Sequence, residues 1–156
     1  MYILPDLLVK QIILAAEADT TIFPAGWKVH LYTNNLIPTK TNVVADFTEL
    51  TNVEVPGYLA VAGAWAGTPV RKQDGSWEDQ GSAPLAFAAT SAPPSPQIVY
   101  GWFATDTGGT TLIGSGAFTV PFTFTANGDG FLLEQVFNAL QATDDTYTLT
   151  LEMEQE

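Results

Sequence analysis

From Trp27 onward the chain is cut into short apolar runs by turn signals, and that rhythm leaves few folds open to it. In WKVHLYT, Trp27, Val29 and Leu31 alternate with Lys28, His30 and Tyr32, the period of two of a strand. Runs at 58–66, 84–89, 97–104, 110–113, 117–125 and 146–153 carry the β-branched and aromatic content of strands. Asn34-Asn35, Asp74-Gly75, the Pro93-Pro94-Ser95-Pro96 cluster, Thr107-Gly108-Gly109 and Asn127-Gly128-Asp129-Gly130 separate them. Short strands without alternating helices predict a mainly β fold, an antiparallel sandwich or barrel, here read as a jelly-roll-like β-sandwich. The last run should place Tyr147, Leu149, Leu151 and Met153 on one face and Thr148, Thr150, Glu152 and Glu154 on the other.

Before Trp27 the pattern is helical. Residues 5–18 are expected to form an N-terminal helix, with Pro5 in the first turn, Asp6 near the positive helix end, and Asp6 and Lys10 as an i,i+4 pair. Asp6, Lys10 and Glu17 share one face, and Leu7, Leu8, Ile12, Leu14 and Ala15 cover most of the rest. A helix so apolar is expected in the core or against a neighbouring subunit. A second short helix is expected over 133–140, where Leu133, Val136, Phe137 and Leu140 fall at helical spacing. No internal repeat or dividing linker occurs, so residues 1–156 read as a single domain. A signal peptide is disfavoured because the N-terminal run has no positive n-region and is broken by Asp6, Lys10 and Gln11. The same run falls short of the roughly 20 apolar residues of a membrane-spanning helix.

Charge narrows the partners. The net charge is −12, the five cations are Lys10, Lys28, Lys40, Arg71 and Lys72, and no Lys or Arg follows position 72. Affinity for nucleic acid comes mainly from Lys and Arg displacing counterions, so neither nucleic acid nor an anionic membrane surface is an expected partner. The absence of cysteine removes disulfides, thiolate chemistry and Cys-based zinc sites.

Few residues could carry catalysis. His30 is the sole histidine, and Ser115 stands in LIGSGAF rather than in a nucleophile-elbow motif, so His30 reads as a partly exposed strand residue beside Lys28. Asp46 and Glu49 in DFTE could be the two carboxylates of a glycosidase. They could equally cap turns and accept backbone N–H groups after the Pro/Thr/Asn loop, and the clasp is the preferred reading. NGDG fails the calcium-loop pattern at Thr125 and at Val136. No phosphate-binding loop or cofactor fingerprint occurs, and neither a cofactor nor a metal is expected. Trp27, Trp65 and Trp102 read as core, whereas Trp77 stands in the polar stretch RKQDGSWEDQG and is a candidate contact residue. With Tyr and acidic neighbours it could also serve a carbohydrate-binding module.

An apolar N-terminal helix, LYTNNLIPT, ADFTEL followed by PGYLAV, and IVYGWFATDTGGTTLIGSGAF together span most of the chain. In these the sequence resembles a family of small virion structural proteins of tailed bacteriophages. It departs from that pattern by the insertion TNVEV before PGY and by its acidic end, EMEQE. The resemblance implies that Asp46, Phe47, Glu49, Pro56, Gly57 and Tyr58 determine the fold, with Tyr58 opening a strand. It implies a capsid decoration (cement) protein on the outer surface of the virion, made in the host cytoplasm, or else a tail or tail-tip component. The partners would be further copies of the chain, a homotrimer being expected, and the major capsid protein or other virion proteins. Leu4, Leu7, Leu8 and Trp77 are the candidate contacts.

Overall fold

The computed structural model describes residues 6–20, 22–74, 76–141 and 147–155. It is mainly β, with two antiparallel sheets and one helix. The helix, α1, is Asp6–Ala18, as its sequence pattern predicts, and Pro5 lies outside the described residues. The strands follow in order: β1 Lys28–Tyr32, β2 Val61–Ala62, β3 Val70–Arg71, β4 Trp77–Gln80, β5 Leu85–Ala88, β6 Gln97–Thr105, β7 Leu112–Phe124, β8 Gly130–Gln141 and β9 Tyr147–Gln155.

One sheet has the order β2-β1-β6-β7. In the other, β8 is central: Trp77 and Leu85 pair with Ala139 and Leu133, so β4 and β5 share one edge end to end, and β9 takes the opposite edge. β3 extends the β4 side. Val29, Leu31, Trp102, Phe118 and Phe124 of the first sheet join Phe87, Phe131, Leu133 and Phe137 of the second in one buried apolar cluster. Tyr32, Phe47 and Phe103 form a smaller one.

Four expectations are corrected. Residues 133–140 belong to strand β8 and form no helix. Leu133, Gln135, Phe137 and Ala139 alternate into the core, but Val136 on the opposite face is buried too. A central strand that is apolar on both faces yields the same spacing as a helix stripe, and pairing on both edges decides for strand. The runs 110–113 and 117–125 are one strand, β7. Its register jumps, since Val99 pairs with Phe122 but Gly101 with Ala117, and the extra residues turn Phe118 inward and Val120 outward. Finally, RKQDGSWEDQG is no polar loop but the β3–β4 hairpin, and 58–66 contributes only the two-residue β2 and a bridge from Trp65 to Gly81.

Candidate functional site

The stretch DFTEL lies along β1 and continues its hydrogen bonding beyond β2. Leu50 N–H donates to the Leu31 carbonyl at 2.9 Å and Thr33 N–H to the Thr48 carbonyl at 2.8 Å. The Asn34 amide closes the gap, donating to the Asp46 carbonyl and accepting Thr48 N–H, both at 2.8 Å. LYTNN and DFTEL are therefore two halves of one junction, each satisfying the other's backbone. Ahead of it Val44–Asp46 makes a single 3-10 turn. Asp46 Oδ2 accepts Asn42 Nδ2 and Val43 N–H, both at 2.9 Å, and these bonds hold its exposed carboxyl below the ordinary value.

Glu49 faces inward to a polar chain. Its Oε1 lies 2.7 Å from His30 Nδ1 and accepts the Tyr58 hydroxyl at 3.2 Å. That hydroxyl in turn accepts Leu31 N–H at 3.0 Å. On the far side of the ring, His30 Nε2 is 2.9 Å from Thr105 Oγ1, which donates to the Asp106 carbonyl at 2.9 Å. The imidazole stacks on Phe103 at 4.8 Å, and Phe103 stacks on Phe47 at 4.9 Å. Burial by itself would raise the Glu49 carboxyl, but the His30 bond and charge, the Tyr58 bond and Lys28 outweigh it and hold it below its usual value. The Tyr58 hydroxyl is pushed up, chiefly by burial.

PGY completes the clasp. Gly57 has φ +94°, and a Cβ there would stand 2.5 Å from Thr90 Cγ2. The Pro56 carbonyl accepts Thr90 N–H at 2.8 Å, locking the close approach. The inserted TNVEV forms its own turn: Glu54 Oε2 accepts Thr51 N–H at 2.8 Å, and Val55 is fully buried. Tyr58 opens no strand, because its side chain is committed to Glu49 and β2 begins at Val61.

A carboxylate, a histidine and a hydroxyl in series have the connectivity of a nucleophilic triad. The likeness stops at access. Thr105 is wholly buried and His30 is 9% exposed, so no substrate carbonyl can reach the hydroxyl. Asp46 and Glu49 serve separate networks, one capping a surface turn and one joining buried side chains. Asp46 accepts a backbone N–H group as expected, whereas the bonds of Glu49 are to side chains. His30, expected to be partly exposed beside Lys28, is buried, and the only hint of that in the sequence is its position between the apolar Val29 and Leu31. An open groove of about 480 Å³ beside β7 is lined by Pro38, Lys40, Asn42 and Leu112–Ser115, and includes none of His30, Glu49 or Thr105.

Trp77 is half-buried on β4 and packs against the main apolar cluster, not in a loop. Leu4 and the side chains of Leu7 and Leu8 lie outside the described residues. Among the described residues no group of three or more acidic or histidine side chains is placed to hold a metal ion. No protein-family model, curated protein or solved structure matches the chain.

Proposed function

We propose that this chain is a non-enzymatic structural protein of a tailed-bacteriophage virion, a capsid decoration protein that binds the outer shell and stabilises it. One observation carries the reading. The residues shared with that family (Asn34, Asp46, Phe47, Glu49, Gly57 and Tyr58) are consumed by internal bonds and packing and present no reactive group to a substrate. They build a rigid scaffold whose outward chemistry is acidic and aliphatic. Ile37, Val53, Leu59 and Val120 are between 71% and 81% exposed, which suits contact with protein neighbours better than with solvent. The surplus of acid favours the outside of a particle over its DNA-filled interior.

The two sheets sharing one apolar cluster fit a β-sandwich of jelly-roll type with α1 against it. Association as a homotrimer would cover exposed aliphatic surface and match the local threefold positions of a shell. Among the described residues no helix is long and apolar enough to cross a membrane. The test is co-sedimentation of the purified chain with shells of its phage assembled without it, followed by image reconstruction. Density on the outer shell supports decoration. Density confined to the tail, or none on any particle, overturns it. Light scattering on the free protein reads the trimer directly, and a monomer at micromolar concentration removes that part of the proposal.

A further inference from the structure

The underside of α1 holds a polar contact that the clasp does not use. Ile13, Ala16 and Glu17 stand at i, i+3 and i+4 on one face of the helix. Ile13 and Ala16 are buried in the main apolar cluster, and α1 packs on β4 and β8. Glu17, expected to share one face with Asp6 and Lys10, is half-buried and meets the carboxyl group of Asp79 on β4.

Asp79 is 2% exposed, and its oxygens already accept Gly67 N–H at 2.7 Å, Thr68 N–H at 3.2 Å and Gln80 N–H at 3.0 Å. With those donors on the oxygens of Asp79, a second carboxyl in contact with it is accommodated as the acid. Among the described residues Glu17 Oε1 is buried with no hydrogen-bond partner, so that oxygen has no donor to stabilise negative charge on it. Two other charged groups lie on the elements under α1. Glu78 on β4 pairs with Lys72, and Glu134 on β8 stands across from Glu154 of β9. Asp79 is the charged group that acts on Glu17.

We propose that the α1–β4 contact is a proton-dependent latch: the helix docks with uptake of one proton shared by Glu17 and Asp79, and loosens when that proton is lost. Burial first, and then the charge and hydrogen bond of Asp79, push the docked Glu17 carboxyl up to about 8 from an ordinary 4.5. The docked state therefore binds one more proton than the undocked state between those values. Docking is strongest below about pH 4.5, weakens by up to tenfold per pH unit as pH rises to about 8, and changes no further above that. Release uncovers Ile13, Ala16 and the sheet surface beneath them, so acidity sets how much of this apolar face the protein presents.

The test is hydrogen exchange across residues 6–18 of the full chain at pH 5, 6, 7, 8 and 9, with intrinsic exchange rates divided out, for wild type and Glu17→Gln. The amide of Gln donates to Asp79 at every pH. Protection in the wild type should fall up to tenfold per unit to pH 8 and then level off, while Glu17→Gln stays flat. Flat profiles in both, or parallel decline in both, overturn the latch. If Glu17→Gln does not fold, the Glu17 carboxyl carbon is titrated by NMR in the wild type. A midpoint near 8 supports the latch, and one below about 5.5 overturns it.

Discussion

The Nδ1 atom of His30 lies 2.7 Å from Oε1 of Glu49, joining the middle of β1 to a segment that has no strand of its own. The bond is half solvent-facing, because the Glu49 side chain keeps 43% of its exposure while the imidazole keeps 11%. Solvent screening limits what it contributes. Glu49→Ala should lower stability by about 1 kcal/mol, and Glu49→Gln by less, since the amide oxygen still accepts from His30. Urea denaturation at pH 7 measures both, and equal midpoints for wild type and Glu49→Ala would remove Glu49 from the clasp.

Tyr58→Phe should cost more than its single oxygen suggests. The hydroxyl satisfies the buried Leu31 N–H as well as reaching Glu49, so its removal orphans a backbone donor on β1. A loss of about 1–3 kcal/mol is expected, read from the same urea midpoints. A change under a few tenths would show that water replaces the hydroxyl.

Gly57→Ala should be among the most damaging single changes. It forces a side chain onto φ +94° and places its Cβ 2.5 Å from Thr90 Cγ2. Strain and overlap together should cost about 2–4 kcal/mol. Adding Thr90→Ala removes the overlap but not the strain, so the double variant should recover part of the loss. Strict additivity of the two changes would contradict the contact.

Acid should unfold the protein through its turns. Asp106 is held below the ordinary carboxylate value, first by the Thr111 N–H and then by Thr110, and Asp129 likewise by Thr125 and Ala126. A lowered folded value means the unfolded chain binds more protons as pH falls. The contribution is complete above about pH 4 and is lost progressively below it. Urea midpoints from pH 6 to 2.5 should fall steeply at the acid end for wild type. In the Asp106→Asn, Asp129→Asn double variant they should start lower and fall less.

Phe47→Ala should cost about 3 kcal/mol or more, because it takes the outer ring from the Phe47–Phe103–His30 stack and a wall from the cluster with Tyr32. Thermal unfolding checks it. A loss no larger than that of Asp46→Ala, whose carboxyl is exposed, would mean that the stack contributes little to the fold.

The strand-and-turn rhythm, the helix up to Ala18 and the inward alternation of Val29 and Leu31 were legible in the amino-acid order, because each depends on neighbours within a few residues. The β8 strand was not, since Leu133, Val136 and Phe137 satisfy a helical period as well as a two-faced central strand, and only pairing with β4, β5 and β9 decides between them. DFTE could be read as a clasp in kind but not in wiring. Its local bonds, from Asn42 and Val43 to Asp46, follow from turn chemistry. Its distant ones, from Glu49 to His30 and Tyr58, exist because separate segments converge on β1. Glu17 shows the same division: sequence placed it near a helix end, and only the packing of α1 on β4 made it a half-buried partner of Asp79. Local hydrogen bonding and periodicity act through the chain, whereas desolvation and long-range pairing act through space, and the latter set the chemistry of every buried group here.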